Sequence, residues 1–383
     1  VLPELLARLA GPWHADVAGA GIALEPPLFG LKVGQADDPA DRLRFIVFGS
    51  GDGRPSVVLK VAGGPTDQQQ LEHEHRVLQD ISAIAALRST VPRPIGLWPL
   101  ADRLVLAMSA LPGTPLDVRV RRRECTRPAQ LQEALFRAQV WVQLLQSATV
   151  AEPMVFAGRA AVEQRLGELA GTGVREQLPP AFLEALLAEA DALQGLRLPI
   201  GGRHGDFQPT NVLEDAGRIG VVDWEQYRCP ELGCPDIFQF AIGLARAYLW
   251  TGWHRPTTRE AFHFAFLQGG FFSVLVDEYV SRFLRAMGMP EDGGHLFLSL
   301  FLMDMAAGQA AWGSRRQSVG RASMWLKTLV AYGEHAPTAA LAPPRLYRPA
   351  QPPPATVPGP TPTPPAPTTI DLTTARKRRR WIS

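Results

Sequence analysis

Asp206, Asn211 and Asp223 fall within one stretch, RHGDFQPTNVLEDAGRIGVVDWE (203–225), and their side chains suit cation binding and proton acceptance. Asn211 and Asp223 bracket two short apolar runs around Glu-Asp-Ala-Gly, so folding a hairpin there would bring the bracketing residues together. A carboxylate and an amide oxygen are hard ligands, and Mg²⁺ takes few such protein groups, phosphate oxygens and water completing its octahedron. Asp206, five residues before Asn211, is then free to face a hydroxyl instead of the metal. These are the parts of a phosphoryl-transfer site, where an aspartate orients the attacking hydroxyl while cations neutralise the transferred phosphate. His-Gly-Asp alone could equally be a capped turn, so the elements upstream have to decide.

Two further residues need partners. Lysine is scarce: among 39 Lys and Arg only Lys32, Lys60, Lys327 and Lys377 are lysines. Lys60 lies inside the apolar strand VVLKVAG, sharing a face with Val58 and Ala62 while Val57, Leu59 and Val61 take the other. An ammonium on such a strand is costly unless paired. On the following helix, TDQQQLEHEHRVLQDI, the residues Leu71, Leu78 and Ile81 define the inner stripe, and Glu74 falls on it. Glu74 is therefore the partner expected for Lys60, with Glu72 as the alternative if the register slips.

The elements that must position these groups are readable from periodicity. RLRFIVF (42–48) and PSVVLKVAG (55–63) predict a hairpin, and RPIGLWPL and RLVLAMSA two more strands, so the first hundred residues read as strands around one helix. That helix should open at Thr66, with Gln69 completing a capping box. LPGTPL (111–116) breaks the pattern, and helical periodicity follows around 129–147, 160–169, 181–194, 236–250, 259–286, 295–312 and 318–333. The division expected is a nucleotide-binding lobe at 1–108, a hinge at 109–116, a helical catalytic and substrate lobe at 117–335, and a tail at 336–383. The tail is proline-rich and ends in RKRRRWIS, a composition that predicts disorder and, through Arg376 to Trp381, docking to an anionic membrane surface or a protein partner.

HGDFQPTN followed by VVDWE resembles the catalytic loop and metal-binding segment of the aminoglycoside phosphotransferase and choline kinase-like superfamily, and the resemblance covers about residues 28–333. It implies an α+β, bilobal protein-kinase-like fold: a small antiparallel sheet with one helix, a larger mostly helical lobe, and the disordered tail. It implies ATP and Mg²⁺ as cofactors, Lys60 on the α- and β-phosphates, held by Glu74, and Asn211 and Asp223 on the metal. Asp206 becomes the catalytic base, backbone groups from Ser109 to Leu111 receive adenine, and His204 and Asp236 support the loop. Asp236 also opens a helix, where a first-turn carboxylate is expected on electrostatic grounds.

The departures narrow the acceptor. LKVGQADDPADR (31–42) lacks a GxGxxG, so its backbone cannot be assumed to cradle phosphates, and Lys32 there reads as a solvated strand-end lysine or a phosphate contact. QYRCPELGCPDIFQF runs straight into a helix, leaving no room for a phosphorylatable activation loop, and Gly205 stands where a protein kinase carries arginine. A small-molecule hydroxyl is therefore favoured over a protein. Acids and bases balance from Glu225 to Glu334, giving no bias toward polycations, while Arg119, Arg121, Arg122 and Arg123 form either a solvated basic loop or an attraction for an anionic substrate. Nothing in a net charge of +2 points to nucleic acid. Three cysteines and apolar stretches too interrupted to span a bilayer suggest a cytoplasmic protein, bound at most to a membrane surface by its basic end. The alternative function is a catalytically silent kinase-like binding module recruited through its tail.

Overall fold

The computed structural model describes residues 1–33, 42–49, 53–250, 253–316 and 319–335, with 309–316 and 319–323 known by backbone only. The described residues all belong to one compact unit. Most of the acidic stretch 31–42 and the proline-rich tail with its basic end lie outside the described residues.

A five-stranded antiparallel sheet organises the first third: β1 (Phe29–Val33), β2 (Leu43–Phe48), β3 (Pro55–Val61), β4 (Pro94–Leu100) and β5 (Arg103–Ser109), in the order β1-β2-β3-β5-β4. Two short helices precede it, α1 (Leu2–Ala10) and α2 (His14–Gly19), which the expectation of strands around a single helix did not include. They cover one face of the sheet. Leu5, Leu9, Trp13 and Val17 pack with Val57, Leu59, Val61, Trp98 and Val105 into a core of their own, and Trp13 stacks on Trp98 at 4.4 Å between ring centroids. The opposite face meets α3 (Pro65–Ala83), whose Leu71, Leu78 and Ile81 join Ala62, Leu106 and Met108. Alternation along β3 thus sends Val58, Lys60 and Ala62 toward α3. The helix begins at Pro65 after Gly64 with no side-chain cap from Thr66; proline at the first helical position needs no N–H partner, and Asp67 Oδ2 instead accepts the Gly63 N–H at 3.1 Å.

The rest is mostly helical, completing the α+β, two-lobed architecture that the sequence predicts. The predicted 129–147 helix is Pro128–Ala148, and the one at 236–250 is Cys234–Leu249. The predicted 259–286 helix is broken: Thr258–Phe262, a π-helical turn at His263–Leu267, then Phe271–Ala286 beyond Gly269 and Gly270, both at positive φ. An additional short helix, Leu116–Arg121, follows LPGTPL. Within that segment Thr114–Pro115 pairs with Val212–Asp215, which pairs in turn with Arg218–Val221. Among the described residues no helix is long and apolar enough to cross a membrane.

Candidate active site

The hairpin expected between Asn211 and Asp223 forms. Val212 faces Val221 in register, Ala216 and Gly217 turn the chain at φ of 47° and 83°, and the Val222 N–H donates to the Asn211 carbonyl at 3.0 Å. Two consecutive residues at positive φ match a two-residue type I′ turn, whose twist suits antiparallel strands. Asp223 follows with φ of 73°, a conformation that Asp tolerates better than most residues, and this turns its carboxylate toward the sheet.

There it meets Lys60. The ammonium donates to Glu74 Oε1 at 2.6 Å, Glu74 Oε2 at 2.7 Å and Asp223 Oδ1 at 2.6 Å, so all three of its donors are used. Lys60 is 4% and Glu74 0% exposed, which settles the register in favour of Glu74 over the exposed Glu72. Glu74 Oε1 also accepts the Trp224 N–H at 3.2 Å, tying α3 to the segment after the hairpin. Sequence reasoning missed Arg44, the in-register neighbour of Lys60 on β2, whose guanidinium reaches Asp223 Oδ2 at 3.2 Å. Burial pushes the Asp223 carboxyl upward, but Lys60 and Arg44 prevail and hold it well below the usual carboxylate range. Glu225, also unanticipated, is bonded by Arg42, which reaches Asp67 at 3.3 Å as well.

Asp206 sits on the loop before the hairpin. Its Oδ2 accepts from Asn211 Nδ2 at 2.8 Å, its carbonyl accepts from the same amide at 2.9 Å, and Oδ1 accepts from Gln239 Nε2 at 2.9 Å and from Gln208. Burial raises its pKa, and Asp223 adds to the rise. The Asn211 amide nitrogen is therefore committed to Asp206, which leaves its carbonyl oxygen for a cation. Gly205 has φ of 84°, and a Cβ there would come within 2.3 Å of the Gln226 carbonyl oxygen. The loop passes too close to the chain after Asp223 for an arginine at this position.

Supporting groups fix the loop from below. Asp236, fully buried, accepts the backbone N–H of His204 at 2.7 Å and of Gly205 at 3.0 Å. Burial pushes its pKa up to about 6. His204 is likewise buried, with its pKa pushed down to about 4, so the ring is neutral at pH 7. Nδ1 accepts the Asp206 N–H at 3.2 Å, which places the proton on Nε2, 3.1 Å from the Val222 carbonyl. One imidazole thus bridges the two aspartate-bearing segments. Phe207 stacks on Trp141 and on Phe240, and Trp224 packs edge-on against Trp141 and His204, so both segments rest on one aromatic cluster.

The structure brings Lys60, Glu74 and Asp223 into contact and likewise Asp206 and Asn211, with His204 between the two groups. Ser109 and Leu111 lie where β5 ends. The Ser109 N–H and Oγ both bond Arg93 at 2.8 Å, whereas the Leu111 N–H has no partner among the described residues. Carboxylate oxygens of Glu74, Asp223 and Glu225 lie within 4.8 Å of one another, a donor set suited to a hard divalent cation. Cys229 is exposed and Cys234 buried, and neither joins that group.

A buried carboxylate on the loop before the hairpin, beside a second carboxylate clamped to a buried lysine, is an arrangement of the kind that phosphoryl-transfer sites use. The family model described as phosphotransferase enzyme family matches residues 39–270. The chain belongs to that family, and it is an enzyme of the small-molecule kinase class. Among solved structures it is similar to an aminoglycoside-3′-phosphotransferase of type VIII, with 20% identity over 70% of this chain and 99% of that one, at a TM-score of 0.35. It is also similar to the aminoglycoside phosphotransferase APH(3″)-Id from Streptomyces rimosus ATCC10970, with 16% identity over 77% of this chain and 96% of that one, at a TM-score of 0.37. No curated protein matches the chain.

Proposed function

We propose that the protein transfers the γ-phosphate of ATP, as its Mg²⁺ complex, to a hydroxyl of a small molecule. The observation that carries this is the ammonium of Lys60 held at 2.6 Å by both Glu74 and Asp223 beneath a loop that presents Asp206. Glu74 keeps Lys60 aimed, so that the ammonium can donate to phosphate oxygens on its Asp223 side. Asp223 and the Asn211 side-chain Oδ1 would hold Mg²⁺, and Glu225 stands close enough to Asp223 to contribute. Bound Mg²⁺ would supply the charge neutralisation that lets the γ-phosphate leave ADP. The Leu111 N–H, without a partner among the described residues, and the neighbouring Ser109 carbonyl would receive adenine.

Asp206 orients the acceptor hydroxyl and takes its proton as the new O–P bond forms and the bond to ADP breaks. Gln239 and Asn211 keep its oxygens aligned, and Asp236 and His204 keep the loop in place. Substitution separates the roles: Asp223→Ala should lose metal-dependent nucleotide binding, and Asp206→Asn should keep it while losing turnover. Equal loss of nucleotide affinity in both would contradict this division. The silent-module alternative predicts that neither substitution changes the protein's function.

A further inference from the structure

The helix that carries Asp236 also carries residues 239, 243 and 246 along one side, and Trp250 caps its C-terminal end. Gln239 holds Asp206, and Gly243 lies under the same loop, where a Cβ would stand 2.5 Å from Pro209 Cδ. Arg246 follows on that side, roughly 10 Å along the axis from Gln239 at about 1.5 Å per residue, and Trp250 lies just past the helix end. The Leu116–Arg121 helix runs from the same place: the Asp117 N–H donates to the Pro209 carbonyl at 3.2 Å, and the Arg121 guanidinium lies 4.9 Å from the Trp250 ring centroid. Arg255 stands 5.0 Å from that ring. The two helices thus share the catalytic loop at one end and an arginine-flanked tryptophan at the other.

The charges there are not balanced. Arg121 is matched by Asp117 at 2.6 Å, but Arg246 bonds the Pro256 carbonyl, at 3.3 Å, and among the described residues neither Arg246 nor Arg255 has a carboxylate partner. Pro256 adjoins Arg255, so that bond brings Arg246 to the Arg255 segment, and burial together with the Arg255 charge lowers the Arg246 pKa. Like charges brought together and partly desolvated are unfavourable until an anion joins them, and guanidinium beside an indole is well suited to planar or tetrahedral oxyanions. An acceptor bearing ammonium groups would meet like charge at this end.

We infer that the acceptor carries an anionic group, a phosphate or a carboxylate, which Arg246 and Arg255 receive beside Trp250 while its hydroxyl lies at Asp206. This rests on the phosphotransferase reading of Asp206, and the test separates the two. Binding of glucose, glucosamine, glucuronate and glucose 1-phosphate to the full chain with Mg-ADP should be measured by calorimetry, for the parent and for R246E/R255E. The parent should bind at least one of the two anionic sugars ten-fold or more tighter than glucose and glucosamine, and the preferred anion identifies the group as carboxylate or phosphate. The double variant should lose that preference with Mg-ADP affinity unchanged; Arg255→Gln, at an exposed position, gives the same readout if the double variant fails to fold. Glucose or glucosamine bound as tightly as both anions, or anion binding untouched by the substitutions, overturns the inference. Failure to bind Mg-ADP at all would instead sink the phosphotransferase reading.

Discussion

Lys60 satisfies two carboxylates at once, and its removal should be felt in stability as well as binding. Lys60→Met would leave Glu74 buried with only the Trp224 N–H, so the variant should unfold at lower temperature, by about 3 kcal/mol in a denaturant titration. Asp206→Asn should lower kcat by about 10² to 10⁴ without weakening Mg-ATP. Because burial raises the Asp206 pKa, the acid limb of the kcat/KM profile should fall at higher pH than an ordinary carboxylate would give, activity growing as pH rises through that pKa. A limb at the ordinary value would point to another base. The Lys60 to Glu74 contact was legible because a lone lysine on an apolar strand and a glutamate on an apolar stripe each demand a partner. Arg44 and Gln239 were not, since their roles depend on strand register and on a helix packing under the loop.

At the scale of elements, the loop that bears Asp206 is held by the first turn of the Cys234–Leu249 helix. Asp236→Asn would set an amide against two backbone donors, and the loop should loosen: kcat should fall at least ten-fold with Mg-ATP affinity kept. Gly205→Ala is the stricter probe, because both its φ and the Gln226 carbonyl at 2.3 Å oppose a Cβ. It should cost about 1 to 3 kcal/mol of stability and lower activity with it. The hairpin could be read from Asn211 to Asp223 since turn residues and apolar runs alternate there without ambiguity. The break after Leu267 could not, because the apolar periodicity continues across Gly269 and Gly270 while the backbone does not. The first two helices escaped for another reason: their apolar residues serve a second core on the far face of the sheet, which local pattern alone does not announce.

At the scale of the whole molecule, every residue assigned to nucleotide, metal or acceptor lies between Arg44 and Arg255, so a chain ending at His335 should still bind Mg-ATP and transfer phosphate. Loss of both would favour the tail-recruited module. Acid stability should reflect His204, whose folded pKa of about 4 lies below its ordinary value of 6.5. Stability from this group is complete above pH 6.5 and is lost as pH falls toward 4, on the order of 3 kcal/mol, and His204→Gln should flatten that limb in chemical unfolding. The central claim is best tested by transfer of γ-labelled ATP, with Mg²⁺, into a panel of neutral, amino and anionic hydroxyl compounds, run beside Asp206→Asn. Labelled product from the parent and none from the variant is the result expected; product formed at the parental rate by Asp206→Asn would contradict it.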